Sequence, residues 1–500
     1  MQQNVRTRFA PSPTGSLHIA SIRNALYCYA LAKKYKGNFV VRIEDTDQSR
    51  YVANSIEEIF KVLKYFGLEP DESMFHGGKH GPYIQSSRLH IYKKYIQKLI
   101  ESGNAYYCFL NKKEIETLKP KYKGRGFRSP WRNAPQTEIQ KMLSQNIPYT
   151  IRLKVPENQK IEFHDAIQGQ IIFDTNIVGD EILIKSNQFP SYHFAVVVDD
   201  YEMEISHVIR SIEWLPSTPK QILIHKFLNL PMPIYAHPPV ILDPDGGKLS
   251  KRKGTVAAIE FLKQGYLPEA ILNFVMLLGW SPPIKRTYGE KEQEIYSLSE
   301  FVELFDLKDI NKSNPTFNRN KLIWFNQQYI KNINPDKLTE YFLQWIKEFK
   351  NNDNDNVLIN KIINDNCLIE KVKLLNTRSK TLEELFDGIK FFYISPSTIR
   401  LHEIQQIAHF FNQIEIIFEN IYSLIKNMPE DTKIWDHQSW FVEMEKISKK
   451  YGINKGDPFM LLRILITGNT VSPPLFESIQ IIGKSEVIHR LEKFYEYIKK

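Results

Sequence analysis

The sequence predicts an α/β protein built on a parallel sheet and followed by an all-helical second half. Three observations carry that expectation. Strand and helix patterns alternate through the first hundred residues, the order that a parallel sheet with crossover helices requires. Beyond residue 335, Ile, Leu, Phe and Lys recur at helical spacing. The chain has 500 residues. Single hydrophobic cores stop growing near about 250–300 residues, so several domains of roughly 150 residues are expected.

From the N-terminus, Val5–Ala10 has strand character and is stopped by Pro11 and Pro13. Leu17–Tyr35 places Ile19, Ile22, Leu26, Tyr29, Ala30 and Ala32 close to a helical period, and Gly37-Asn38 ends it. Phe39, Val41 and Ile43 then alternate with Val40, Arg42 and Glu44, which predicts a second strand. Ser55-Ile56-Glu57-Glu58 has the spacing of a capping box. It opens a helix with Ile56, Ile59, Phe60, Leu63 and Phe66 on one face and Gly67 as the C′ residue.

Between about 100 and 190 the character changes: a basic loop, Lys119–Arg132, precedes the β-like runs Tyr149–Val155 and Ile171–Asp174. Alternation resumes with Phe194–Val198, read as a very apolar strand, and Ile205–Ile212. From about 250 to 330 the pattern is mixed, and Pro282-Pro283 with Lys291–Glu294 marks a surface excursion. Asn351–Asn356 reads as a loop in the helical tail.

Composition narrows the classes. Hydrophobic residues at 42% and charged residues at 25% fit a folded globular chain and exclude a disordered one. No apolar run approaches the ~18–20 residues of a membrane helix, and the start, MQQNVRTRFAPSPTG, lacks a signal core or an Arg-rich transit pattern. Cys28, Cys108 and Cys367 are too far apart for a disulfide framework or a zinc finger. A cytoplasmic protein without membrane contact is therefore expected. Sixty-six Lys and Arg against 57 Asp and Glu leave a net charge of +9, which permits a polyanionic partner without specifying one.

Three strings carry chemistry. In PSPTGSLHIAS (11–21), two prolines and a glycine turn the chain from a strand into a helix, with His18 in its first turn. A helix start offers unpaired N–H groups and partial positive charge, so it favours phosphate, and a histidine there can donate to a phosphate oxygen without acting as a base. KLSKRKG (248–254) concentrates three lysines and an arginine on a loop that follows two glycines. Such charge suits a pyrophosphate leaving group, although an isolated run of this kind is more often only solvated. VRIEDTD (41–47) puts Glu44, Asp45 and Asp47 at the end of a strand, where open α/β sheets bind ligands; Glu44 could receive an ammonium there.

Joined to FPSYHFAVVVDD (189–200) and HVIRSIEWLPSTP (207–219), these strings resemble class I aminoacyl-tRNA synthetases. Within that class the PSPTG and RIEDTD strings resemble the glutamyl-tRNA synthetases, whereas glutaminyl relatives carry a PEPNG-like turn. Weaker similarity runs through YKGRGFRSPWRNAP, IRLKVP, NTRSKTLEEL (376–385) and Asp457–Gly468, so the resemblance covers nearly the whole chain. It implies a Rossmann-type catalytic domain at 1–100 and 190–250, with an inserted α+β connective domain at 101–189 that contacts the tRNA acceptor end. A stem-contact domain at 251–334 and helical anticodon-binding domains at 335–500 would follow. The implied partners are ATP, Mg2+ bound through ATP, L-glutamate and tRNAGlu, acting on a monomer.

The resemblance also implies a site, residue by residue. Arg8, Ala10, Ser12, Glu44, Tyr192, Arg210 and Trp214 would bind glutamate. Arg8 and Tyr192 would address the side-chain carboxylate, for which a planar guanidinium offers two charge-assisted hydrogen bonds. Glu44, helped by Ser12, would hold the α-ammonium. His18, Ala20, Glu213, Lys248, Ser250 and Lys251 would bind ATP, with His18, Lys248 and Lys251 as the catalytic set. No general base is assigned, because glutamate's carboxylate is already a nucleophile. Lys123, Arg125 and Arg128 in the basic loop and Arg378 near the anticodon would bind tRNA. The loop's cations would take phosphates, and its Tyr122, Phe127 and Trp131 would stack on unpaired bases.

Three departures from the family pattern stand out. Ala20 replaces the glycine of the HIGH signature, Val196 occupies a frequent asparagine position, and Cys108 is alone where some relatives have a zinc knob, so neither zinc nor any other protein-bound metal is expected. Other readings remain open at this stage: an enzyme that also charges tRNAGln, a glutaminyl-tRNA synthetase, a tRNA-modifying paralogue, a metabolite nucleotidylyltransferase, or a non-catalytic RNA-binding protein.

Overall fold

A computed structural model describes residues 4–249, 256–283, 287–288, 291–350, 356–396 and 413–498. The chain divides into two units, Met1–Phe261 with Ile271–Arg319, and Leu262–Ala270 with Asn320–Lys500.

The first unit begins β1 (Arg6–Phe9), α1 (Ile19–Lys34), β2 (Asn38–Val41), α2 (Ser55–Tyr65) and α3 (Leu89–Glu101). β1 pairs with β2 in parallel, with Arg8 opposite Val40, and it is buried along its whole length, as a central strand covered on both faces must be. Gly67 follows α2 at φ +64°, the left-handed geometry expected of a C′ glycine. The helix start differs from expectation. Asn54 occupies the N-cap, and the Ser55 hydroxyl donates to the Val52 carbonyl, so no capping box forms there.

The next stretch holds β3 (Ala105–Cys108), α4 (Lys112–Leu118), α5 (Gln136–Ser144), β4 (Thr150–Leu153), β5 (Lys160–Asp165), β6 (Gly169–Asp174) and β7 (Ile182–Ile184). β3, β4 and β7 form their own antiparallel sheet. The β5–β6 hairpin does not join it. β5 pairs in parallel with a later strand, Asp165 opposite Tyr235, and so extends the main sheet.

Then come α6 (Tyr192–Glu202), β8 (His207–Ile209), α7 (Thr218–Phe227) and β9 (Ile234–Ala236). The six-stranded order is β2-β1-β8-β9-β5-β6, with every pair parallel except β5–β6. The segment Phe194–Val198, expected as a strand, is the middle of α6. All five of its residues are buried in one apolar cluster with the strands. A helix enclosed on all sides loses its amphipathic period, which removes the signal separating it from a buried strand.

The second unit is helical throughout its described residues, as the tail's spacing predicts. Pro335–Phe349, Asn356–Ile363, Leu368–Leu375 and Leu382–Ile389 pack around Phe342, Trp345 and Phe386. Ile414–Asn427, His437–Tyr451, Asp457–Thr467 and Lys484–Ile498 enclose a second core around Phe418, Trp440 and Leu465. The loop expected at Asn351–Asn356 falls outside the described residues up to position 355.

The three thiols differ sharply in setting. Cys28 is buried in α1 with its Sγ donating to the Arg8 carbonyl at 3.3 Å, and burial pushes its pKa up to about 12. Cys108 is also buried, while Cys367 is exposed. A thiol reacts as thiolate. An aromatic disulfide reagent should therefore titrate one thiol rapidly in the native protein and all three in denaturant. Native labelling of Cys28 at the rate of Cys367 would contradict the packing of α1 on β1.

Candidate active site

The carboxyl ends of β1, β2, β8, β9 and β5 lie along one edge of the sheet, and the chain leaves β1 toward β2 on one side while β8 returns on the other. Such a reversal of strand order opens a crevice. Here it is a cavity of about 540 Å³ whose lining includes Arg8, Ala10, Ser12, His18, Glu44 and Tyr192, together with Arg210 and Trp214 from the far side. Tyr192 and Trp214 form one wall, their ring centroids 4.5 Å apart.

The turn between β1 and α1 supplies one side. Gly15 sits at φ +119°, where a side chain would be strained, so the turn needs glycine. His18 is the N-cap of α1 rather than a residue of its first turn, and its Nδ1 accepts the Ala20 N–H at 3.3 Å. With Nδ1 accepting, the neutral ring carries its proton on Nε2.

Beneath the cavity lies a buried ionic lattice. Arg8 donates from Nε to Asp200 Oδ1 at 3.0 Å, and its terminal nitrogens take no protein partner among the described residues. Arg42 donates to the same Asp200 oxygen at 2.8 Å and to Glu44 Oε1 at 3.0 Å. Asp199 accepts from Arg88 Nε at 2.6 Å, Gln85 Nε2 at 2.8 Å and the Tyr92 hydroxyl at 2.8 Å. Burial alone would raise the pKa of Asp200, but Arg8 and Arg42 outweigh it and hold the carboxyl below its ordinary value. Glu44 goes the other way: burial pushes it up against the pull of Arg42 and Arg8. Tyr192 is likewise raised, by burial and then by Glu44.

On the far side, Arg210 follows β8 and donates from Nε to His237 Nε2 at 3.1 Å and from Nη2 to Thr218 Oγ1 at 3.0 Å. His237 follows β9 and pairs through Nδ1 with Asp165 Oδ2 at 2.5 Å. Burial lowers the pKa of His237 more than Asp165 raises it.

The structure thus gathers all seven residues expected to bind glutamate, together with His18. Of the other residues expected to bind ATP, those that are described do not line the cavity. Ala20 and Glu213 are absent from this lining. Lys248 pairs with Glu213 at 2.6 Å, both well exposed, while Ser250 and Lys251 lie outside the described residues. Val196 is buried in the apolar cluster and does not reach the cavity.

Among the residues expected to contact tRNA, Arg128 is engaged within the protein. Its Nη1 and Nη2 donate to the Gly126 and Thr175 carbonyls at 3.0 and 3.1 Å, and its Nε faces Glu157 at 3.3 Å, so it braces the loop. Arg132 is held by buried Asp180. The loop aromatics pack on protein rings: Tyr122 on Phe127, and Trp131 on Phe109. Lys119, Lys121, Lys123 and Arg125 are exposed. Arg378 is exposed as well, with Nη1 donating to the Ser472 carbonyl at 2.7 Å.

Sequence reasoning missed Arg42, Asp199, Asp200, His237 and Asp165. One signal was available: two adjacent carboxylates closing an apolar run, in a position where only paired charges are tolerated.

Residues 4–324 match the family described as tRNA synthetases class I (E and Q), catalytic domain, and residues 337–495 match an anticodon binding domain. A glutamate–tRNA ligase of Chlorobaculum parvum is 38% identical over 99% of this chain and 98% of its own length. One of Finegoldia magna is 39% identical over 98% and 99%. A crystal structure of a glutamate tRNA ligase from Elizabethkingia meningosepticum, in complex with its amino acid, aligns with a TM-score of 0.83 at 31% identity over 99% of both chains. The glutamate-tRNA synthetase of Elizabethkingia anophelis aligns at 0.81, again 31% identical, over 99% of this chain and all of its own.

Removing one carboxylate from the lattice should be expensive. Asp199→Asn keeps the shape but leaves the buried Arg88 cation without its ionic partner, which should cost about 3–5 kcal/mol. The check is the midpoint of denaturant unfolding at neutral pH. A wild-type midpoint would show that the pair is solvated.

Proposed function

The chain belongs to the glutamate–tRNA ligase family of class I tRNA synthetases, and from that premise we infer which of its residues hold each substrate. The enzyme activates glutamate with ATP and transfers it to tRNA. In the first step an α-carboxylate oxygen bonds to the α-phosphorus as the bond to the bridging oxygen breaks, and pyrophosphate leaves. In the second, the hydroxyl of the tRNA's 3′-terminal adenosine takes the acyl group, and AMP leaves.

One observation carries the placement of the amino acid: Arg8 is held through Nε on Asp200, its terminal nitrogens take no protein partner among the described residues, and it lines the same cavity as Glu44. In our reading Arg8, with Tyr192, grips the side-chain carboxylate, Glu44 and Ser12 receive the α-ammonium, and Arg210 and Trp214 border the reacting carboxylate. His18 presents Nε2–H to a phosphate oxygen, and Lys248 and Lys251 stabilise the departing pyrophosphate. Magnesium enters with the nucleotide, held by its phosphates. Positioning and fixed charge supply the catalysis, with no general base.

For tRNA, the exposed cations Lys119, Lys121, Lys123 and Arg125 form the acceptor-end contact we propose. In the helical unit, Arg378 and Arg463 both donate to the Ser472 carbonyl, at 2.7 and 3.3 Å. Two guanidiniums converging on one carbonyl repel each other, and an anticodon acceptor would relieve that repulsion, so we place Arg378 there. The same arginine supports restriction to tRNAGlu. No helix among the described residues is long and apolar enough to cross a membrane, and we place the enzyme in the cytoplasm.

ATP–pyrophosphate exchange with glutamate, run with and without tRNA, tests the central reading; exchange that requires tRNA is expected. Arg8→Gln gives up two charge-assisted hydrogen bonds of about 1.5 kcal/mol or more each. It should therefore raise the glutamate KM by about a hundredfold or more, with the ATP KM little changed. Equal losses for both substrates would place Arg8 elsewhere. Neutralising Lys119, Lys121 and Lys123 together should raise the tRNA KM and flatten its log–log salt slope by roughly 2, at about 0.7–0.9 per phosphate contact. An unchanged slope would remove this loop from the interface.

A further inference from the structure

Arg210, His237 and Asp165 end three neighbouring parallel strands, β8, β9 and β5, and form a single buried row leading away from the cavity. Asp165 and His237 are completely buried, and neither touches the cavity. A row of this kind has a fixed proton order. A guanidinium always donates, so His237 Nε2, 3.1 Å from Arg210 Nε, must accept. The imidazole proton therefore sits on Nδ1 and is donated to Asp165 Oδ2. Thr218 Oγ1 accepts from Arg210 Nη2, and its own hydroxyl faces the Trp214 carbonyl at 3.3 Å and His237 Nε2 at 3.4 Å.

Two corners of the Arg210 guanidinium are thus fixed by protein. The third, Nη1, is buried with no hydrogen-bond partner among the described residues, on a side chain that lines the cavity. An unpartnered buried donor at a cleft wall is a place for an acceptor to arrive.

We propose that Asp165 and His237 are positioning residues: Asp165 sets the tautomer of His237, and His237 sets the roll of the Arg210 side chain, so that Nη1 meets an α-carboxylate oxygen of the amino acid. This rests on the reading of Arg210 given above. The hairpin β5–β6 then has a catalytic purpose as well as a structural one. It brings Asp165 to the sheet, and Gln168 of the same turn donates to the His237 carbonyl at 2.9 Å.

The neighbourhood of Asp165 makes one isosteric variant decisive. Its Oδ1 accepts three backbone N–H groups, those of Ile167, Gln168 and His237, at 3.0, 2.8 and 3.2 Å. In Asp165→Asn the amide oxygen must stay on those donors, which turns the amide NH2 toward His237. The imidazole then accepts at Nδ1 and carries its proton on Nε2, facing the Arg210 Nε–H, donor against donor.

The experiment is tRNA-supported ATP–pyrophosphate exchange on the full-length enzyme, with thermal unfolding as the check on folding. D165N should raise the glutamate KM by about tenfold or more, the consequence of a wrong tautomer, and leave the ATP KM within about twofold. The double variant D165N/R210A should be no worse than R210A, because both changes remove the same contact. His237→Phe, which deletes the link without touching Asp165, should show the same split and the same non-additivity, and it decides the matter if D165N fails to fold. Should R210A raise the glutamate KM while neither D165N nor H237F does, or should their effects add to that of R210A, the relay is overturned and the reading of Arg210 stands. Should R210A leave the glutamate KM unchanged, that reading falls, and the relay with it.

Discussion

The buried guanidinium of Arg42 is the interaction on which the cavity depends. It is fully enclosed, and it touches three carboxylates: Asp200, Glu44 and, at 3.8 Å, Asp199. Moving any of these charges out of water alone would cost several kcal/mol. Together with Arg8 and Arg88 they make three cations and three anions, so each charge is compensated by its neighbours. The pKa of Arg42 is raised accordingly, with Asp200, Glu44 and Asp199 overcoming the effect of burial. A lattice of this kind is weak evidence for stability, because a hydrophobic replacement would often do as well. Its value here is geometric. Asp200 holds Arg8 by one corner, and Arg42 holds Glu44 by one oxygen, so both reach the cavity with the rest of their hydrogen-bonding capacity unspent.

Sheet topology explains how groups so distant in sequence come together. The parallel strands all finish on one edge, and the residue at or just after each end points where a ligand can bind. Glu44 comes from the segment after β2, while Arg210, His237 and Asp165 come from the ends of β8, β9 and β5. Only a parallel arrangement delivers residues 44, 165, 210 and 237 to one edge, and the antiparallel β6 closes the sheet without contributing to it. The stretch between β3 and β7 therefore has two separate roles: a small antiparallel sheet of its own, and a hairpin that completes the edge of the main one.

What could be read from the sequence followed the range of the interactions. The turn before α1, the helix α2 with its C′ glycine and the helical tail are set by neighbours a few positions apart, and they were legible. The motif residues Arg8, Glu44, Tyr192 and Arg210 were legible because their spacing within strings resembles a known family. α6 was misread because complete burial removes the pattern on which a period is judged. Ser55 was misread because its hydroxyl found a nearer acceptor in Val52. Arg128 and Arg132 look like solvated charge in a basic run, and nothing local reveals that carbonyls at 126 and 175 and the carboxylate of Asp180 await them. His237 and Asp165 lie 72 positions apart and were invisible for the same reason.

In the placement we propose, the buried charges lining the cavity match an acidic amino acid, while Asp47 and Arg50, which also line it, pair with each other. Two guanidiniums, Arg8 and Arg210, are available for two carboxylates, and one carboxylate, Glu44, for one ammonium. An amino acid with a neutral side chain satisfies Glu44 and Arg210 but leaves Arg8 facing a weaker acceptor. Asp200 receives Arg8 Nε and Arg42 Nη1 on Oδ1 and takes no hydrogen bond from the terminal nitrogens of Arg8. On that placement, rejection of the amide analogue follows from a cation that Asp200 holds by Nε and whose terminal donors call for a charged acceptor. A site that leaves a buried charged donor poorly paired discriminates far more strongly than one that merely loses an apolar contact. In the placement we propose, specificity toward glutamate resides in the Arg8 donors that the lattice leaves without a protein partner among the described residues.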